Sequence, residues 1–122
     1  MTAFLDSNPL RSTRGESEIV SGRFKGAYNS ATKMAGKGWT LSQGSGAGIY
    51  VVTLDKDYYG AGGGGWGIMS ASKLVAIAAY THTSGVWTVT FTVCTMNTGT
   101  ATDLGASDEL WFNLEMVKSA AG

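Results

Sequence analysis

The stretch Gly85-Val-Trp-Thr-Val-Thr-Phe-Thr-Val-Cys-Thr-Met96 alternates without interruption. Trp87, Val89, Phe91 and Val93 share one face, and Thr88, Thr90, Thr92 and Cys94 share the other, which is the period of a half-buried β-strand. A second strand of the same kind lies near the C-terminus, where Leu110, Phe112, Leu114 and Met116 alternate with Glu109, Trp111, Asn113 and Glu115. The two apolar sets are predicted to face each other as the core, with Trp111 on the opposite side of its strand.

Outward from these two, the chain breaks into short apolar pieces separated by turn residues. Ser17 to Phe24, Gly38 to Ser42 and Gly48 to Leu54 read as strands, the last β-branched and bounded by Gly44-Ser-Gly46 and Asp55-Lys-Asp57. Lys73 to Thr83 is apolar on both faces and is predicted to be a central strand. Ile68 to Ala79 has enough alanine for a helix, but Val75 and Ile77 favour a strand. The segment Gly60 to Gly67 is predicted to be a flexible, glycine-rich loop, and His82 is placed in a turn from Thr81 to Gly85. With no convincing helix, the fold class is all-β: a small antiparallel sandwich or barrel of about six to eight short strands. Residues 1–16, polar apart from Phe4 and Leu5, are expected to form an extended N-terminal arm, and 17–122 a single β domain.

Composition narrows the function. At 122 residues the chain is one domain, able to bury a core without metal or disulfide staples. Nine Lys and Arg balance nine Asp and Glu, so nucleic acid and anionic membranes are not expected partners. No apolar run approaches a transmembrane helix, and the N-terminus lacks the basic flank and apolar stretch of a signal peptide, so synthesis in a cytoplasm is expected. The single Cys94 excludes an internal disulfide. Charged residues make up 15%, fewer than in an average domain, and such a thinly charged surface is often covered by a partner.

The chemical motifs are weak. Gly60-x-Gly62-x-x-Gly65 matches a dinucleotide fingerprint, yet the upstream strand ends near Leu54 and no acidic residue follows at the required distance. Ser30-x-x-Lys33 and Ser70-x-x-Lys73 match a nucleophile pair that works at a helix start inside a larger enzyme. His82 reads as a solvated loop histidine rather than a catalytic base. Asp55, Asp57, Asp103 and Asp108 lack calcium-loop spacing and read as turn formers. No catalytic residue, cofactor or metal site is expected. The aromatic residues carry more information. Besides Trp111, the residues Tyr58, Tyr59 and Trp66 flank the glycine-rich segment, where core packing is not expected. Together with Phe4 and Leu5 they are the candidate interface, since exposed aromatics anchor protein contacts and also stack on sugars.

Several stretches together resemble a known family. Lys37-Gly-Trp-Thr-Leu-Ser42 precedes Gly44-Ser-Gly-Ala-Gly-Ile-Tyr-Val-Val-Thr-Leu-Asp55. Trp87-Thr-Val-Thr-Phe-Thr-Val93 is followed by Gly99-Thr-Ala-Thr-Asp-Leu-Gly-Ala-Ser-Asp-Glu-Leu-Trp-Phe-Asn-Leu114. This pattern, over residues 36–118, resembles the small β-sandwich head decoration (cement) proteins of tailed bacteriophages; only the Gly60 to Gly67 stretch departs from it. The resemblance implies a structural virion protein on the capsid surface, made in the host cytoplasm. Its partner would be the major capsid protein, whose neighbouring subunits it bridges, often as a homotrimer. No catalytic residue is carried over. Head-fibre or tail structural proteins and a carbohydrate-binding β-sandwich are the alternatives.

Overall fold

A computed structural model describes residues 17–26 and 32–118. The described residues form strands β1 (Ser17–Lys25), β2 (Thr32–Gly36), β3 (Trp39–Gln43) and β4 (Ile49–Leu54), then β5 (Gly60–Met69), β6 (Lys73–Thr83), β7 (Val86–Thr95) and β8 (Glu109–Val117). All pairings are antiparallel, and they make two four-stranded sheets, ordered β2-β1-β8-β5 and β3-β4-β7-β6. The sheets pack face to face as a sandwich rather than closing as a barrel. The expected arm, with Phe4 and Leu5, lies outside the described residues, as does Ser30.

The core is where the alternation placed it. Val89, Phe91 and Val93 of β7 oppose Leu110, Phe112, Leu114 and Met116 of β8, all of them buried. Trp87 is half-buried at the end of its row. Around them sit Phe24, Trp39 and Tyr50; the Trp39 ring meets Phe112 edge-on at 5.0 Å, and Phe91 lies 5.7 Å from Phe112. Trp39 fits because Gly22 lacks a β-carbon, which would overlap the indole ring. Its Nε1 then donates to the Ser21 carbonyl at 3.2 Å, so the largest buried side chain has its polar atom satisfied.

Four expectations are corrected. Gly60 to Gly67 is not a flexible loop but most of β5, paired with β8 over its whole length. Propensity disfavours such a strand; the ladder to β8, a bulge between Ala61 and Gly63, and the inward-facing Trp66 and Ile68 hold it in place. Lys73 to Thr83 is an edge strand, β6, with β7 and β4 in the centre of that sheet. It is apolar on both sides because Val75, Ala78 and Tyr80 pack inward while Leu74 and Ile77 are left exposed. His82 belongs to this strand, opposite Trp87; the turn is only Ser84-Gly85, both at positive φ, as a two-residue hairpin requires. Finally, Tyr58 and Trp66 are not surface aromatics: Tyr58, although in the connection between β4 and β5, is in the core, and Trp66, on β5, packs on Phe91 at 5.8 Å. β2, an edge strand, had no counterpart in the sequence reading.

Candidate interaction faces

Because side chains alternate across a strand and directly paired residues point to the same side, the ladder registers fix what each sheet shows to solvent. On the β3-β4-β7-β6 sheet three rows of outward residues span three or four strands, with the pairs Thr83–Val86 and Leu74–Cys94 beyond them on β6 and β7. The first is Thr40, Thr53, Thr88 and Thr81, a line of threonines running across all four strands. The second is Ser42, Val51, Thr90 and Ala79, and the third is Ile49, Thr92 and Ile77. No charged side chain stands in any of the three. Thr81 and Thr88 hydrogen-bond to each other through their hydroxyls, and Ile77 is 59% exposed. The face is hydroxylated and apolar by turns. Cys94 ends the outward row of β7 but is buried by a bridge to Ala101.

The outward face of the other sheet is different in kind. It carries Arg23 and Lys25 from β1, Glu109, Trp111, Asn113 and Glu115 from β8, and the glycines of β5. Arg23 Nε lies 3.6 Å from Glu109 Oε1. Trp111 is 42% exposed and lies against Gly67, where a β-carbon would come within 2.7 Å of Cζ2 of the indole. Ser21, Arg23, Trp111 and Asn113 line a shallow depression of about 320 Å³ over β1. Ile19 and Met69, 61% and 65% exposed, complete the apolar part of this face.

The candidate interface residues therefore separate. Trp111 points outward, as its phase requires. Trp66, paired with Phe112, points into the core from the neighbouring strand. Tyr59 is exposed, its N–H donating to the Val117 carbonyl at 2.7 Å. Tyr58 is structural: its hydroxyl donates to Glu18 Oε1 at 2.5 Å, and its carbonyl accepts from Trp87 Nε1 at 2.8 Å. Burial, and then the Glu18 carboxylate, push the Tyr58 hydroxyl up to about 12. Glu18 is held below the usual carboxylate range by that hydroxyl and by Lys56 at 3.2 Å. Phe4 and Leu5 are outside the described residues.

The polar residues considered for chemistry act locally. Asp57 Oδ1 lies 2.8 Å from His82 Nε2, and the imidazole stacks on Trp87 with ring centroids 4.5 Å apart. Asp103 accepts from the Gly48 N–H at 2.7 Å and from Gln43. Asp108 takes Lys73 Nζ at 2.6 Å and the Gly105 N–H at 2.8 Å, contacts that hold its carboxyl below the ordinary aspartate range. Leu104, between these two aspartates, is fixed by donation from its N–H to the Tyr50 hydroxyl at 2.7 Å. The loop from Thr98 to Asp108 is thereby tied to the sandwich. Among the described residues, no three of His, Cys, Asp and Glu gather as metal ligands.

The outward threonines of β7 were legible in its alternation. Their continuation onto β3, β4 and β6 was not, because it depends on registers between strands far apart in sequence. Compared with protein families, with curated proteins and with solved structures, the chain matches none.

Proposed function

We propose that this chain is a structural protein of a phage virion that docks on the outside of the capsid and bridges neighbouring subunits of the major capsid protein, as a homotrimer. The observation that carries the reading is the charge-free outward face of the β3-β4-β7-β6 sheet. Placing a charged side chain against another protein requires stripping its water, and interface centres are depleted of charge for that reason. Three rows of Thr, Ser, Val and Ile meet no such cost, while their hydroxyls can hydrogen-bond to a protein lattice. The sequence resemblance to decoration proteins supplies the kind of lattice and the preference for a trimer.

The test is binding to purified capsids lacking the protein, followed by co-sedimentation. Wild type is expected to pellet with the shells, and Thr90→Lys, which puts a charge in the middle row, is expected to remain in the supernatant while staying folded. Equal binding by wild type and Thr90→Lys would remove the threonine face from the reading. A cryo-EM map of the source particle that puts the protein in the tail or a head fibre would sink the decoration role. A second reading, a carbohydrate-binding module, is favoured by one feature only: an exposed indole, Trp111, beside Ser21, Arg23 and Asn113. Glycan binding that disappears in Trp111→Ala would support it.

A further inference from the structure

Strand β5 poses a question that the fold answers only in part. Six of its ten residues are glycine, although glycine in a strand loses more backbone entropy than any other residue and contributes no packing. Most of these glycines have a local reason. Gly67 lies under the Trp111 ring, Gly64 against the Asn113 carbonyl and the Tyr80 hydroxyl, and Gly62 beside the Glu115 side chain. Gly63, at φ +145°, has a backbone that other residues rarely adopt. Gly60 and Gly65 have none of these reasons. Neither lies in the left-handed region, and a β-carbon on either would meet no atom of the described residues within 4 Å. The described fold therefore has room for a side chain at both.

Gly65 faces outward in one row with Asn113 and Ser21. The adjacent row is Arg23, Trp111 and Gly67, so a floor of bare backbone adjoins an exposed indole on the same face. That face also carries both signs of charge, Arg23 and Lys25 with Glu109 and Glu115. A surface that carries a projection beside bare backbone, with charges of both signs, can supply both halves of a contact between identical chains related by a rotation axis, the indole of one copy meeting the glycines of the next. We infer that the outward face of β8 and β5 is the contact between copies of this chain, with Gly65 and Gly60 bare because the partner's surface approaches the backbone there. This contact is the one the proposed homotrimer would use; docking of the threonine face on the capsid is not needed for it, since that face lies on the other sheet, and docking and self-association can fail separately.

Sedimentation velocity of the full chain tests it. Wild type is expected to sediment as an oligomer. Gly65→Thr is expected to sediment as a monomer that keeps the β-sheet circular dichroism of wild type and unfolds cooperatively, because threonine suits a strand and has space there. Thr90→Lys, on the opposite sheet, is expected to keep the wild-type oligomer. A monomeric wild type, or an oligomer that survives Gly65→Thr, would overturn the inference. Should Gly65→Thr fail to fold, Trp111→Gln replaces it: loss of the oligomer supports the contact, and retention overturns it. Binding of soluble oligosaccharides that Trp111→Gln abolishes, with association unaffected, would assign the face to a sugar instead.

Discussion

Tyr58 links three parts of the sandwich: its own backbone to Trp87, its hydroxyl to Glu18 on β1, and its ring to the core. Its ionisation is raised from the ordinary tyrosine value of 10 to about 12. The folded state thus favours the neutral phenol, so the stability this contributes is complete below pH 10 and is lost as pH rises towards 12. Alkaline titration of the melting temperature should fall through that window, and more shallowly in Tyr58→Phe, although Tyr50 and Tyr80, also raised by burial, leave a residual slope. At neutral pH Tyr58→Phe should cost about 1.5–3 kcal/mol, as for other hydrogen bonds to charged groups. Phe91→Ala, at the centre of the core, should cost about 3–5 kcal/mol by denaturant unfolding; a loss below about 1 kcal/mol would be incompatible with the register described. Phe91 and Trp111 were both legible in the sequence, since each sits in a long run of period two. Tyr58 was not. It lies in the irregular segment between β4 and β5, and its burial comes from partners forty residues upstream and twenty-nine downstream.

At the scale of elements, β7 and β8 were readable and β5 and β6 were misplaced, for one physical reason. Alternation reports which way side chains point, but not which strands are neighbours. β6 has apolar residues on both faces, the pattern of an interior strand, yet only its Val75, Ala78 and Tyr80 side is covered within the described fold. β5 has almost no side chains to alternate, so its strand character comes from β8 and from Trp66 and Ile68 packing inward. Gly67→Ala examines this coupling directly. The added methyl must displace the Trp111 ring, whose exposed position lets it swing aside. Stability should change by less than about 0.5 kcal/mol, as for surface substitutions generally, while the tryptophan emission of the oligomer-free protein shifts to the red. An unshifted emission would mean that the indole does not lie on Gly67.

For the whole molecule, the two sheets present unlike surfaces: one mixed in charge with an exposed indole, the other uncharged and rich in threonine. Deleting residues 1–16 should leave the melting temperature of the sandwich nearly unchanged while weakening capsid binding, if that segment serves the partner rather than the core; unfolding on deletion would make it an integral strand. The order of the strands carries a consequence for synthesis. Every member of the β3-β4-β7-β6 sheet lies between Trp39 and Thr95, whereas in the other sheet the β1–β2 pair and β5 are joined only through β8, the last described strand. On the ribosome the threonine-faced sheet can zip up while the β1–β2 pair and β5 wait for β8, and the hydrophobic underside of that early sheet stays wet until Glu109–Val117 emerges. The last strand is therefore the keystone of assembly. A chain stalled or truncated before Glu109 would display the open side of a half-built sandwich, the state in which an unpaired β-sheet is most prone to aggregate.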